Sequence, residues 1–244
     1  MTSDKSAGPI LLAIDTAGSA CSVALGHGAA VLAVERQTMR YGHAEALVPM
    51  IDRVMAAVAL PRAALDGVAV AVGPGGFTGI RVGLGAAQGI ALALNLRLIG
   101  VTSFAAVAAA LPAAPGVAPG VALVALDSRR EDLYVQLFDR AAGMPLAEPA
   151  AIMPDDLAEH IRAFVGDQKL LLAGDMAEPA AAALGGRFAA EIAAGSAPDA
   201  TGVLTAALCQ IMREPADSPA RPLYLRPPDV TLPKRPTPVA AGRR

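Results

Sequence analysis

A chain of 244 residues is long enough for one large domain or two small ones with a buried core. Apolar residues make up 54% of it and aromatic residues only 3%, so alanine, valine and leucine must fill most of that core. The formal net charge of −2 gives no whole-chain attraction to nucleic acid. With no secretory signal and two widely separated cysteines, Cys21 and Cys209, we expect a cytoplasmic protein in which both cysteines are small core residues.

The N-terminal part predicts a three-stranded meander followed by a helix. Apolar runs at Ile10–Asp15, Cys21–Leu25 and Ala30–Arg36 are separated by short turns. From His43 to Val58, apolar residues recur at the spacing of one helix face. Pro49 should kink this helix or lie in its first turn.

The next segment predicts a buried strand, a glycine-rich loop and a long helix. Val68–Val72 is wholly apolar, as in a central strand buried on both faces. The helix, from Thr78 to about Leu94, carries small residues at every fourth position along two neighbouring stripes, Gly79–Gly83–Ala87–Ala91 and Gly85–Gly89–Ala93. Such stripes allow a close approach of another backbone. One stripe can pack within the lobe and the other against a second subunit.

The uncharged stretch Leu98–Leu126 has the length of a membrane span, but prolines and glycines interrupt its second half. We therefore predict a strand, a helix, a linker and a strand there, and no membrane contact. The run Val121–Leu126 ends in Asp127 as the first strand ends in Asp15, and Lys169–Ala173 repeats the later strand. This repeated order predicts two α/β lobes, each a mixed sheet with helices.

The predicted elements divide the chain into three regions. Residues 1–110 form a first lobe with partner-binding helices, 111–220 a reduced second lobe, and 221–244 an extended, proline-rich tail. The basic end of that tail, Lys234–Arg244, is read as a solvated segment, and RNA contact is the alternative.

The glycine-rich segment Gly73–Gly79 fits neither G-x-G-x-x-G nor the Walker A motif. It is either a tight turn or a strand–loop–helix junction whose amides bind an anion. The predicted contacts of an anion or nucleotide are Asp15, Thr16, Gly75, Gly76, Thr78 and Arg81. Asp127 reads more simply as a turn residue that caps its own loop. No histidine pair, cysteine cluster or G-x-S-x-G motif is present, so we predict no catalytic and no metal-binding residue.

Six segments, in chain order and across nearly the whole chain, resemble the TsaB (YeaZ) family. The most specific is Gly73–Gly83; the set comprises Ile14–Thr16, Ser22–Leu25, His43–Glu45, Val70–Gly89, Leu126–Arg129 and Leu223–Arg226. The resemblance implies the actin-like ATPase (ASKHA, ribonuclease H-like) fold with a reduced second lobe. It also implies a part in making N6-threonylcarbamoyladenosine at position 37 of tRNAs that read codons beginning with A, and binding to TsaD, which TsaE joins as an ATPase.

The chain departs from the catalytic relative TsaD in ways that bear on its role. The metal-binding histidine pair of TsaD falls here on Ser103 and Val107, and Val cannot ligate a metal. The strand end at Gly174–Met176 lacks the nucleotide loop of the second TsaD lobe. We therefore expect a non-catalytic partner subunit with no cofactor of its own, ATP and metal belonging to its partners. The alternative is an ATP-dependent kinase or hydrolase of the same fold.

Exposed apolar and small-residue surface on the two helices predicts the partner interface. Its residues are His43, Leu47, Met50, Ile51 and Val54 on the first helix and Gly79, Gly83, Ala86, Ala87 and Ile90 on the second. The same surface should form a weak homodimer when the chain is alone, and TsaD should replace one copy. Contact with tRNA would then be indirect.

Overall fold

The computed structural model describes residues 8–112, 120–194, 197–213 and 220–226. The strands are β1 Ile10–Asp15, β2 Ala20–His27, β3 Ala30–Thr38, β4 Gly67–Gly73, β5 Arg97–Thr102, β6 Val121–Asp127, β7 Leu133–Asp139, β8 Met144–Pro145, β9 Ala150–Ile152, β10 Leu170–Ala173 and β11 Ala190–Ile192. The helices are α1 His43–Ala57, α2 Phe77–Leu94, α3 Ser103–Ala110, α4 Leu157–Val165, α5 Ala177–Leu184 and α6 Ala200–Arg213.

The first sheet has the order β3-β2-β1-β4-β5. Strands β1, β2 and β3 form the predicted antiparallel meander, whereas β4 and β5 run parallel to β1. Every residue of β4 is buried, as expected for a central strand. Pro49 lies inside α1 on its exposed side and beyond the first turn, so the alternative that placed it in the first turn is wrong, and a kink at Pro49 stays a prediction. The carbonyl that loses its N–H donor there can be hydrated.

The second sheet has the order β11-β10-β6-β7-β8, with β9 also paired to β7. Its centre repeats the first sheet: β6 pairs antiparallel with β7 and parallel with β10, as β1 pairs with β2 and β4. The predicted mixed α/β fold with two lobes of the same design is therefore confirmed.

Three groups of buried apolar residues hold the molecule together. One lies between the first sheet and helices α1, α2 and α6, and a second between the second sheet and α4 and α5. The third joins the lobes, because Phe104 and Val107 of α3 pack against residues of β6 and β7 such as Val124 and Phe138.

Helix α6 differs from the sequence prediction. The division at residue 110 remains a prediction, but it places α6 in the second lobe, whereas its apolar face packs in the core of the first. Gly202 makes this possible, since a Cβ there would overlap the carbonyl oxygen of Ala106 in α3. Ser22 of β2 also accepts a hydrogen bond from the Ala200 amide at 2.9 Å.

Residues 220–226 form an extended strap that crosses the first sheet. The Leu223 amide donates to the Val72 carbonyl at 2.8 Å, and Ala220 lies against Gly100 of the edge strand β5. Leu225 packs at the apolar core between the lobes. The rest of the predicted tail, including Lys234–Arg244, lies outside the described residues.

The two cysteines, both predicted to be small core residues, have different outcomes. Cys21 is buried, as predicted, but Cys209 is exposed, because it lies on the side of α6 that faces away from the core.

Within the described ranges one helix, α2, has the length and apolar composition of a membrane span. In this fold α2 packs on β1 and β4, where Ile14 and Val70 lie close to Gly83.

Candidate functional site

The ends of β1 and β4 meet the start of α2 at a tightly packed junction. The Ala17 amide donates to Asp15 Oδ1 at 2.8 Å, and Thr16 Oγ1 donates to the Gly79 carbonyl at 2.7 Å. A Cβ at Gly75 or Gly79 would overlap the backbone of residues 16 and 17. These glycines are therefore explained by close backbone packing.

The amides of this junction are only partly free for an anion. The Gly76 amide donates to the Ala17 carbonyl at 2.7 Å, so it is already satisfied within the chain. Thr78 and Arg81 are exposed, whereas Asp15 and Thr16 are buried. The six residues predicted to contact an anion thus share one region, but they do not line one open site.

The corresponding turn of the second lobe is closed by its own side chains. Asp127 Oδ1 accepts from the Arg129 amide at 2.7 Å, and the Asp127 amide donates to Asp175 Oδ1 at 3.1 Å. Ser128 Oγ donates to the Asp132 carbonyl at 2.5 Å. Asp127 is thus a turn-capping residue, as the sequence indicated.

A small cavity lies between the two lobes. It measures about 20 Å³ and is lined by Ala17, Gly18, Pro74, Gly75, Ser103, Leu126, Asp127, Arg129, Asp175 and Pro198. A space of that size holds about one water, whereas sites for drug-sized ligands usually exceed about 300 Å³. A nucleotide could enter only if the lobes moved apart.

Of the carboxyl groups around this cleft, that of Asp15 is buried, whereas Asp175 is exposed at its edge. Burial raises the pKa of Asp15 to about 6, the Ala17 amide opposes that rise, and the negative charges of Asp199 and Asp175 add to it. Burial also raises the pKa of Asp175, against the hydrogen bond from the Asp127 amide. Asp15 is thus partly protonated near neutral pH.

No described set of three or more His, Cys, Asp or Glu side chains is close enough to share a metal ion. Ser103, where the resemblance would place a metal ligand, is buried and its hydroxyl has no hydrogen-bond partner within the described part of the chain. Val107 packs in the apolar core between the lobes. The Nε2 atom of His43 is also buried and has no hydrogen-bond partner among the described residues, and burial together with Arg129 lowers the pKa of His43.

The helix pair α1 and α2 does not present the predicted interface residues to solvent. Most of them face the chain's own sheet; the buried ones are Leu47, Met50, Ile51, Val54, Gly79, Gly83 and Ala87. His43, Ala86 and Ile90 are half-buried. Those seven residues are corrected to core positions, because amphipathic spacing finds the apolar face of a helix and does not say what covers it.

The second small-residue stripe lies on the open side of α2. A Cβ at Gly85 or Gly89 would meet no other part of the described chain within 4 Å. On the same helix Leu92 is 85% exposed, and on α1 Val48 is 56% exposed. Between Val82 and Leu94 there is no charged residue. Apart from the exposed Gln88 this surface is apolar, and it is uncharged and open to close approach.

Comparison with known proteins assigns the chain to a family. Residues 37–216 match the family model described as "TsaD: tRNA N6-adenosine threonylcarbamoyltransferase". The tRNA threonylcarbamoyladenosine biosynthesis protein TsaB of Escherichia coli is 35% identical over 130 residues, and that of Haemophilus influenzae 37% over 127. The crystal structure of YeaZ from Pseudomonas aeruginosa superimposes with a TM-score of 0.75 at 27% identity, covering 89% of this chain and all of YeaZ.

The chain belongs to the TsaB (YeaZ) branch of the TsaD family. The match to the two TsaB proteins spans 51% and 55% of their lengths, about half of each. An uncharacterised protein of Mycobacterium tuberculosis is 34% identical over 90% of this chain and 92% of its own. Sugar kinases share only the fold: a Thermus thermophilus ROK hexokinase has a TM-score of 0.51 at 16% identity.

Two features of this TsaB-family chain were not identified from the sequence as parts of a site. Phe77 and Tyr224, which are 147 positions apart, are partly exposed and in ring contact. Asp175 reaches across from the second sheet to the cleft. The segment Leu223–Arg226 was itself a family signal, but no sequence pattern places a C-terminal tyrosine beside the start of α2.

Proposed function

We propose that the protein is a non-catalytic subunit of the machinery that forms N6-threonylcarbamoyladenosine in tRNA, and that it acts by binding the TsaD subunit. Membership of the TsaB branch supports a part in this pathway, since curated relatives are named as biosynthesis proteins of that nucleoside. By the same resemblance, the modified nucleotide is at position 37 of tRNAs that read codons beginning with A.

The closed cleft is the observation that carries the non-catalytic part of the proposal. Its volume of about 20 Å³ leaves no room for a nucleotide, and the loop amide of Gly76 is already bonded to Ala17. Ser103 and Val107 stand where the resemblance would place metal ligands, and Val107 is in the core. ATP and metal chemistry is thus assigned to the partner subunits, with no cofactor held here.

The open face of α2 supports the binding part of the proposal. Gly85 and Gly89 allow close approach, and Leu92 and Val48 supply exposed apolar area. TsaD, as a relative with the same first lobe, would cross α2 there, and TsaE would join through the TsaB–TsaD pair. A second copy of the chain would use the same face as a weak homodimer. Contact with tRNA would be through TsaD.

Two alternatives are weaker. An ATP-dependent kinase or hydrolase would use Asp15 and the glycine loop, but an Arthrobacter glucomannokinase and the Thermus thermophilus hexokinase are only 13% and 16% identical and share only the fold. A peptidase is suggested by the similarity to "peptidase YEAZ" in the description of one structural neighbour. The buried Ser103 hydroxyl bonds to no described base, which a serine nucleophile would need.

Co-purification of the tagged chain with its endogenous partners tests the proposal. We expect the TsaD-family subunit among the captured proteins. The purified chain alone should neither transfer a threonylcarbamoyl group nor hydrolyse ATP through several turnovers. Turnover by the isolated protein that Asp15→Ala abolishes would overturn the non-catalytic role.

A further inference from the structure

An arginine flanked by two exposed aromatic rings lies on α2 next to its open face. The guanidinium carbon of Arg81 is 3.6 Å from the centre of the Phe77 ring, and Arg81 Nε donates to the Tyr224 hydroxyl at 3.3 Å. The two rings are 5.4 Å apart, centre to centre. Phe77 remains 41% exposed and Tyr224 40% exposed. This set of three residues is called the Arg81 cluster.

The strap holds Tyr224 in place on both sides. Leu223 bonds to the Val72 carbonyl of β4, Leu225 packs in the core between the lobes, and Arg226 Nη2 lies 2.7 Å from Asp132 Oδ2. The backbone at Tyr224 is therefore fixed by contacts on either side of it. The ring and hydroxyl of Tyr224 in turn restrict Arg81, so little side-chain entropy remains to be lost when Arg81 binds an anion.

The positive charge of Arg81 has no counter-ion within the described ranges. No ion pair to a carboxylate is formed by Arg81, whereas Arg53, Arg62, Arg129, Arg162 and Arg226 each form one. Arg81 is also the only charged residue of α2, and that helix contains no Asp or Glu. The positive end of the helix dipole adds to the attraction of an anion near this turn.

We propose that the Arg81 cluster binds a carboxylate side chain of the partner subunit that covers the open face of α2. The inference rests on the proposed function, and it specifies the chemical group that the partner subunit places against Arg81. Arg81 keeps its terminal N–H donors for a carboxylate, and a planar guanidinium matches that group with paired hydrogen bonds. The adjoining surface is apolar, and exposed aromatic residues with arginine are typical of the centre of protein interfaces.

Two other occupants fit the surface less well. RNA binding needs several unneutralised cations along a groove, but Arg129 at the cleft is paired with Asp127 and the chain is acidic overall. A second copy that crossed at α2 would offer no carboxylate from that helix. A different polypeptide with an acidic residue facing Arg81 therefore fits better than a direct crossing of two α2 helices.

Charge reversal at Arg81 tests the inference. The affinity of the full chain for the purified TsaD-family subunit is measured by titration calorimetry for the wild type, Arg81→Glu, Arg81→Lys and Tyr224→Phe. Arg162→Glu makes the same charge change on α4 of the second lobe and serves as the control. Thermal melting first shows that each variant is folded.

We expect Arg81→Glu to weaken binding by about tenfold or more, and Arg81→Lys and Tyr224→Phe by less, with Arg162→Glu unchanged. If Arg81→Glu is folded and binds like the wild type, the inference is wrong while the proposed function stands. It is also overturned if Arg81→Glu disturbs only homodimer formation or only binding of purified tRNA. Failure of the wild type to bind the TsaD-family subunit would refute the proposed function, and the inference with it.

Discussion

Glycine has two different roles along α2, although the sequence spacing is the same. At Gly79 and Gly83 the missing side chain lets the helix touch the end of β1, where Thr16 occupies the space. At Gly85 and Gly89 the missing side chain leaves open surface. A change of glycine to leucine should therefore have opposite consequences at these two pairs of positions.

Stability measurements on Gly79→Leu and Gly85→Leu check this assignment. Gly79→Leu should destabilise the fold by about 1–3 kcal/mol or more, because the new side chain overlaps the Thr16 carbonyl. Gly85→Leu should melt at or above the wild-type temperature, since leucine is the better helix former and meets no neighbour. Equal melting temperatures for the two variants would show that the two faces of α2 are wrongly assigned.

The buried carboxyl group of Asp15 predicts a pH effect on stability. In the folded protein Asp15 keeps its proton to about pH 6, whereas in the unfolded chain it ionises near its ordinary pKa of 3.8. Between these values the folded state binds more protons, so the contribution of Asp15 to stability falls as the pH rises from about 4 to about 6. The loss is at most about 3 kcal/mol.

Asp15→Asn should remove this dependence, because an amide cannot ionise and its oxygen can still accept from Ala17. Thermal unfolding of both proteins between about pH 4 and pH 7 measures the difference. The variant should gain on the wild type as the pH rises, and the gain should level off above about pH 6. A constant difference over that range would show that Asp15 does not carry a raised pKa.

At the scale of elements, the short strap at residues 220–226 is fastened to both lobes. Arg226 lies 2.7 Å from Asp132 Oδ2, and Asp132 is 2% exposed. That oxygen makes no hydrogen bond of good geometry within the described chain, so the attraction is chiefly between the charges. The pair fastens the end of the strap to the second lobe.

Removal of Arg226 should therefore destabilise the protein. Arg226→Ala leaves the Asp132 carboxylate buried without its counter-ion, at a cost of about 1–3 kcal/mol. The double variant Arg226→Ala with Asp132→Asn should recover part of that loss, since the uncompensated charge is gone. Denaturant unfolding of the two single variants and the double variant measures the coupling. Strictly additive losses would mean that the two residues do not interact.

The regular elements could largely be predicted from the sequence, because short β-branched apolar runs bounded by glycine, such as Val68–Val72, are typical of buried strands. Helix α6 could not be placed, since its partners in β1, β2 and α3 are distant in sequence. The same limit affected the site: amphipathic spacing identified α1 and α2, but burial by the chain's own sheet and burial by a partner give the same pattern. The Arg81 cluster depends on a contact between residues 143 positions apart.

At the scale of the whole molecule, the cleft between the lobes is closed, whereas one face of α2 is open. The two lobes share an apolar core and enclose a space of about 20 Å³, which fits a chain that keeps an ATPase fold without a nucleotide. Addition of ATP with magnesium to the isolated protein should leave its melting temperature unchanged, because nothing binds. A rise of several degrees would show that the cleft opens to a nucleotide.

The open face of α2 carries the central claim, that the protein acts by binding a TsaD-family subunit there. The most direct measurement compares the Kd of the wild type, Gly89→Leu and Ala163→Leu for the purified TsaD-family subunit. Ala163 is an exposed residue of α4 in the second lobe and provides the same kind of change elsewhere. We predict that folded Gly89→Leu binds about five- to hundredfold more weakly while Ala163→Leu matches the wild type. Equal binding by all three proteins would contradict the account.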